Sequence, residues 1–144
     1  MSGKRILLVE DDPDVRESCA ELLRDLGHTV VAVDDGAVAL EEIPRLHPDV
    51  ILVDLIMPRA KLDGVALLSR LLAGPRVPVV ILSALSDCLV QGLSPEVMAA
   101  LPIIAILTKP VSVDALTREI DRVPRQDSSV YPALAPGGRG PGET

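Results

Sequence analysis

Short runs of aliphatic residues recur along the chain, separated by segments whose apolar positions follow a helical period. Four runs are nearly continuous in apolar residues, at positions 6–9, 50–53, 77–82 and 103–107. Such runs predict strands that are covered on both faces, as in a parallel sheet. A fifth run, at positions 29–33, alternates less clearly and predicts a strand near the edge of the sheet.

Helix signals occupy the segments between these runs. The first helix is predicted to have Asp12 as its N-cap, Pro13 as its first residue and Gly27 as its stop. Apolar residues at helical spacing predict two more helices, over residues 64–72 and over residues 113–123. Strands and helices alternate five times along the chain, which predicts a doubly wound α/β sheet.

Two helical segments carry conflicting signals. Residues 36–46 follow Asp34 and Asp35, which are predicted to be turn and capping residues, but Pro44 is expected to end or kink this helix early. Residues 87–102 are compatible with a helix near their end, yet they predict a broken or lengthened start. The residues expected to interrupt it are Gly92, Ser94 and Pro95.

Composition limits the domain count and the possible partners. The 144 residues suffice for one core, so residues 1–123 are predicted to form one domain and residues 124–144 a Pro/Gly-rich, disordered tail with no output domain. A net charge of −7 argues against nucleic-acid or membrane-surface partners. The first apolar run is too short for a signal peptide or a membrane span, so we expect a cytoplasmic protein. Cys19 and Cys88 are expected to be buried free thiols.

Polar residues stand where the apolar runs end. They are Glu10, Asp11 and Asp12 after the first run, Asp54 after the third, Ser83 after the fourth and Lys109 after the fifth. Because ligands of open α/β sheets bind beyond the carboxyl ends of the strands, these side chains are predicted to converge. The capping role of Asp12 accounts for that residue without a function in the site.

The converging groups favour phosphoryl chemistry with a hard cation. Crowded carboxylates repel one another, so either some are protonated or a cation is bound, and oxygen ligands alone predict Mg²⁺ (or Mn²⁺). A carboxylate can attack phosphorus and form an acyl phosphate while a cation and an ammonium balance the charge. We predict that Asp54 is the nucleophile, that Lys109 balances charge and that Ser83 donates a hydrogen bond.

Five segments in this order carry a family resemblance. They are ILLVEDDPDVR at 6–16, PDVILVDLIMP at 48–58, DG at 63–64, VILSA at 80–84 and LTKP at 107–110. Together they resemble the receiver domain of two-component response regulators, over about residues 4–123. The resemblance implies a flavodoxin-like (βα)5 fold with a parallel sheet in the order 2-1-3-4-5. It also implies a stand-alone, non-enzymatic switch phosphorylated by a sensor histidine kinase or a phosphotransfer protein.

The resemblance also implies a role for each site residue. Asp54 would be the phosphoryl acceptor, Asp11 and Asp54 direct metal ligands, Glu10 a ligand through water, the backbone carbonyl of Ile56 a further ligand, Ser83 the switch hydroxyl and Lys109 the phosphate-binding lysine. The peptide bond between Lys109 and Pro110 would be cis. A downstream protein partner is expected on the face formed by the fourth helix, fifth strand and fifth helix, roughly residues 89–123.

Three features depart from the family pattern. The loop at 59–62 is longer than usual, as is the segment between Ser83 and Lys109, which lacks the usual Gly-Ala turn. Ile106 stands where the family commonly has the Tyr or Phe that moves with the hydroxyl. These departures keep open a receiver-fold interaction module that acts without phosphorylation. A phosphorelay shuttle or phosphate sink is a further alternative.

Two other classes fit less well. A phosphatase or phosphotransferase of the haloacid-dehalogenase type would need an acid at the position of Ile56. A flavin-binding flavodoxin would need hydroxyls and backbone amides to cradle phosphate in the first loop, where residues 10–12 are acidic. Both classes therefore rank below the receiver.

Overall fold

A computed structural model describes residues 3–83 and 94–126, which form one parallel sheet with helices on both faces. In chain order the described elements are β1 (Arg5–Val9), α1 (Pro13–Asp25), β2 (Thr29–Val33), α2 (Gly36–Leu46), β3 (Val50–Asp54), α3 (Gly64–Leu71), β4 (Val79–Ser83), α4 (Pro95–Ala100), β5 (Ile103–Thr108) and α5 (Val113–Arg122). The strands pair in the order β2-β1-β3-β4-β5, and every pair is parallel. The predicted doubly wound fold and strand order are confirmed.

Alternate residues of the central strands fill two cores. Leu7 and Val9 of β1 pack on the side of α2, α3 and α4, whereas Ile6 and Leu8 pack on the side of α1 and α5. All residues of β3 and β4 are buried, as their continuous apolarity predicted. This two-sided packing fixes the carboxyl end of β3, where Asp54 lies.

The sheet edges differ from one another. β2 is an edge strand, as predicted, and β5 forms the other edge. The prediction that β5 is covered on both faces is wrong, because Ile104 and Ile106 are 36% and 38% exposed. Within the described residues β5 pairs only with β4, and its register shifts between Val79 and Val80. One face of this edge strand is therefore partly exposed.

The first helix begins and ends at the predicted residues. The Asp12 carboxylate accepts hydrogen bonds from the backbone N–H groups of Asp14 and Val15, at 2.9 and 3.2 Å. Gly27 follows the C-cap with φ +100°, a conformation that glycine adopts without steric cost. The cap sequence thus positions the loop between β1 and α1, which carries the acidic residues.

The predictions for the two helices with conflicting sequence signals were wrong in part. α2 continues through Pro44 to Leu46, because the proline lies in the last turn and Ile43 is buried in the core. Ser94 and Pro95 do not interrupt α4 but begin it: the Ser94 hydroxyl accepts the N–H of Val97 at 3.2 Å. Gly92 and the rest of residues 84–93 lie outside the described residues.

Asp49, just before β3, links the start of β1 to the segment that follows α5. This fully buried carboxylate accepts the guanidinium of Arg5 at 3.0 Å and the backbone N–H of Gln126 at 2.7 Å. Residues 124–126, the first of the predicted tail, therefore contact the domain, and residues 127–144 lie outside the described residues. The domain boundary and the disorder of the tail stay predictions.

Within residues 3–83 and 94–126, no helix has the length and apolarity needed to cross a bilayer.

Cys19 is a free thiol, as expected, but it is partly rather than fully buried. Burial and the charge of Glu10 raise the pKa of Cys19 to about 11. Cys88 lies outside the described residues.

Candidate functional site

The carboxyl ends of three strands bring two acids and a lysine into direct contact. The ammonium of Lys109 donates to Glu10 Oε1 at 2.6 Å and to Asp54 Oδ2 at 3.1 Å. The side chains of Glu10 and Asp54 are only 1% and 6% exposed. The predicted convergence of these groups is confirmed.

Backbone contacts fix the position of Asp54. Its Oδ1 accepts the N–H of Ile56 at 3.2 Å, which leaves Oδ2 for Lys109. Gly64, the first residue of α3, packs directly on the backbone of β3: a Cβ at this position would lie 2.2 Å from the Asp54 carbonyl oxygen. The close approach of α3 therefore depends on glycine at this position.

The lysine is held by the neighbouring strand. The N–H of Lys109 donates to the carbonyl of Ser83 at 2.6 Å, and the bond between Lys109 and Pro110 is cis, as the resemblance implied. Ser83 is fully buried at the end of β4, one residue beyond Leu82, which is the β-sheet partner of Asp54. Ser83 thus lies on the strand next to the acid.

The charges of the site are strongly coupled. Burial, followed by the negative charge of Glu10, raises the pKa of Asp54 to about 6, and Lys109 offsets only part of this rise. Burial alone would lower the pKa of Lys109, but its hydrogen bonds to Glu10 and Asp54 outweigh burial and raise that pKa. Near neutral pH this arrangement favours ionised Asp54 and charged Lys109.

A third carboxylate completes an acidic cluster. One oxygen each from Glu10, Asp11 and Asp54 can be chosen so that all three lie within 4.8 Å of one another. With Lys109 included, the four ionised groups carry a net charge of −2. Carboxylate oxygens with no nitrogen or sulfur ligand among them suit a hard divalent cation. The cluster could therefore hold Mg²⁺.

The structure describes two of the remaining predicted residues, Ile56 and Ile106. Ile56 follows Asp54 closely and has a half-exposed side chain, while its backbone N–H contacts the acid. Ile106 lies on β5, is paired in register with Ile81 and faces outward in part. Leu89 and its neighbours in the expected partner face lie outside the described residues.

Sequence reasoning missed two contacts of the loop after β3. The Asp35 carboxylate caps α2 as predicted, but it also accepts the backbone N–H groups of Lys61 and Leu62, at 2.6 and 3.0 Å. Desolvation opposes ionisation of Asp35, yet these hydrogen bonds and the cap lower its pKa overall. Arg59 in the same loop contacts Asp11. The long loop was the available signal, but its anchor could not be identified without the fold.

Residues 6–121 match the family described as the response regulator receiver domain. The chain belongs to the response regulator receiver family. A CheY-like receiver domain from Methylobacillus flagellatus is 27% identical to this receiver, with a TM-score of 0.68, and the match covers 83% of this chain and 98% of that one.

Two further proteins are similar to this receiver. The receiver domain of a sensor histidine kinase from Pseudomonas aeruginosa PAO1, with a magnesium ion coordinated in its active-site cleft, is 31% identical, with a TM-score of 0.70 over 85% of this chain and 98% of that one. The DNA-binding response regulator MtrA of Mycolicibacterium smegmatis is 37% identical over 58% of this chain and 36% of its own length. The receiver spans about a third or less of the first curated relatives it matches.

Proposed function

We propose that this receiver accepts a phosphoryl group on Asp54 and signals by changing its affinity for a protein partner. The observation that carries the proposal is the buried contact of Asp54 with Lys109, beside Glu10 and Asp11. A phosphorylated sensor histidine kinase or phosphotransfer protein is the proposed donor. The stand-alone arrangement, the cytoplasmic location and the non-enzymatic character stay predictions.

Asp54 is the group suited to nucleophilic attack. Its carboxylate oxygen would form a bond to phosphorus as the bond from phosphorus to the donor breaks, giving an acyl phosphate. A pKa of about 6 leaves Asp54 largely ionised near pH 7, so the nucleophile is available. Lys109 is close enough to balance the negative charge of the incoming phosphoryl group. Ser83 is the proposed hydroxyl partner of the bound phosphoryl group.

Glu10, Asp11 and Asp54 are the proposed ligands of Mg²⁺, with the backbone carbonyl of Ile56 as a further ligand. The net charge of the cluster and its oxygen-only chemistry support this assignment. When bound, the cation would supply charge neutralisation of the phosphoryl oxygens. The magnesium seen in the Pseudomonas aeruginosa receiver domain adds support by analogy.

A second candidate function concerns how phosphorylation would change the binding of a protein partner. Ile106 has no aromatic ring, and it is already 38% exposed on an edge strand. This observation favours, as a second candidate, an interaction module whose binding does not depend on phosphorylation. Both candidates use the open surface of β5 and α5 for a protein partner.

Intact-mass spectrometry tests the proposal. Wild type, Asp54→Ala and the control Asp49→Asn would be incubated with acetyl phosphate, with and without Mg²⁺. One added phosphoryl group in wild type and in the control, only with Mg²⁺ and not in Asp54→Ala, is the expected result. Folded wild type that gains no phosphoryl group from acetyl phosphate or from a phosphorylated kinase would contradict the proposal and favour the phosphorylation-independent module.

A further inference from the structure

Arg59 approaches the acidic cluster from outside. Its backbone N–H donates to Asp11 Oδ2 at 3.3 Å, its Nε lies 3.9 Å from the same oxygen, and its Nη2 donates to the Asp11 carbonyl oxygen at 3.4 Å. Glu10 and Asp54 share Lys109, so Asp11 is the acid of the cluster whose contacting cation is Arg59. The guanidinium therefore neutralises charge that a metal ion would also need.

The loop that carries Arg59 is anchored independently of its guanidinium. Asp35 accepts the N–H groups of Lys61 and Leu62, and the carbonyl of Leu62 accepts the N–H of Gly36 at 2.8 Å. The Arg59 side chain is 69% exposed, whereas that of Asp11 is 8% exposed. The guanidinium can therefore leave Asp11 without disturbing the backbone around it.

A cleft beside Asp11 offers the released guanidinium another place. The cleft has a volume of about 260 Å³, and its lining includes Asp34, Asp35 and Arg59. Arg16 also lines it, but the Arg16 guanidinium donates to the backbone carbonyl of Glu10 at 3.0 Å and not to a carboxylate. Asp34 and Asp35 thus place acidic charge in the cleft that Asp11 and Arg59 also line, although the Asp35 carboxylate already accepts three backbone N–H groups.

We propose that Arg59 is a displaceable counter-ion of Asp11 that lowers the affinity of the acidic cluster for a divalent cation. The inference rests on the proposed function, because it takes Glu10, Asp11 and Asp54 as the cation site. Arg59 and the cation draw on the same carboxylate charge, and they repel each other. Exposed ion pairs are weak, so the expected effect on Mg²⁺ affinity is about two- to fivefold.

Magnesium titrations of the metal-free receiver test this role. Binding of Mg²⁺ to wild type and Arg59→Ala would be followed by the NMR shifts of backbone amides near Asp54. Arg59→Ala keeps the backbone N–H that donates to Asp11, so only the guanidinium contacts are lost. Arg45→Ala is the matched control, because this substitution removes the same charge. Arg45 pairs with Glu42 on the exposed face of α2.

Tighter Mg²⁺ binding by Arg59→Ala, with Arg45→Ala equal to wild type, is the expected result. The Nε–H resonance of Arg59 should also shift in wild type with the same midpoint as the amides. Equal or weaker binding by Arg59→Ala, or an Nε–H signal that stays fixed at saturating Mg²⁺, would overturn the inference while the cation site stands. No Mg²⁺-dependent shift in any of the three proteins would overturn the cation site itself.

Discussion

Replacement of Gly64 by alanine tests how the fold positions the acceptor. The added Cβ would lie 2.2 Å from the carbonyl oxygen of Asp54 and 2.6 Å from the Cα of Leu55. Both atoms are backbone, so α3 and the end of β3 must separate by about 1 Å to reach ordinary contact distances. Overpacking of this kind costs about 3 kcal/mol of unfolding free energy. A shift of about 1 Å at Asp54 is expected to slow phosphorylation about a hundredfold.

Urea denaturation followed by far-UV circular dichroism measures the loss of stability. Gly74→Ala is the matched control, because a Cβ there would meet only atoms of Leu71, at 3.7 and 3.9 Å. The control is expected to be neutral or to gain about 0.5 kcal/mol through the unfolded chain. Gly64→Ala within about 1 kcal/mol of wild type, or a Gly74→Ala loss of equal size, would refute the steric argument.

Three further substitutions, one of them paired with a control substitution, test the charges of the fold. Burial raises the folded-state pKa of Asp54 to about 6, so the folded state favours the protonated acid. The resulting contribution to the free energy of unfolding is present at low pH and is lost as pH rises from about 4 to 6. In urea titrations without metal, the free energy of unfolding of Asp54→Asn should therefore exceed that of wild type by about 1–3 kcal/mol at pH 7.5. Near pH 3 the two free energies should be equal. Desolvation opposes ionisation of Asp49, but its hydrogen bonds with Arg5 and Gln126 lower its pKa overall, so its contribution is lost as pH falls below about 4. Asp49→Asn should cost about 1–2 kcal/mol at pH 7, and a constant cost down to pH 2 would contradict this. Asp35→Ala should speed amide hydrogen exchange of Lys61 and Leu62 about tenfold, whereas Asp34→Ala, which removes an exposed acid, should not.

The acidic site could be predicted from the sequence because strands and their ends are encoded locally, whereas the strand order came from the family resemblance. Continuous aliphatic runs mark buried strands, and in an open α/β sheet the carboxyl ends of those strands meet at one edge. Glu10 and Asp54 directly follow such runs and Lys109 follows its run after one residue, so the fold class predicted that their side chains would meet. The cap at Asp12 and Pro13 is likewise a local signal.

The errors arose where tertiary packing outweighs local signals. Pro44 is tolerated because the core holds the last turn of α2 in place. The apolar run of β5 gave no sign that Ile104 and Ile106 face outward, since strand position in the sheet decides exposure. The contact between Arg59 and Asp11 spans 48 residues and depends on the path of a loop, which sequence spacing does not reveal.

The most direct test of the central claim is the chemical identity of the phosphorylated residue. Loss of labelling in Asp54→Ala is also expected if Asp54 only holds the cation, so substitution alone is indirect. Borohydride reduction of the phosphorylated receiver converts an aspartyl phosphate to homoserine, which peptide mass spectrometry can locate. Conversion at Asp54 is the predicted result, and conversion at Asp11, Asp12 or another carboxylate with Asp54 intact would contradict the account.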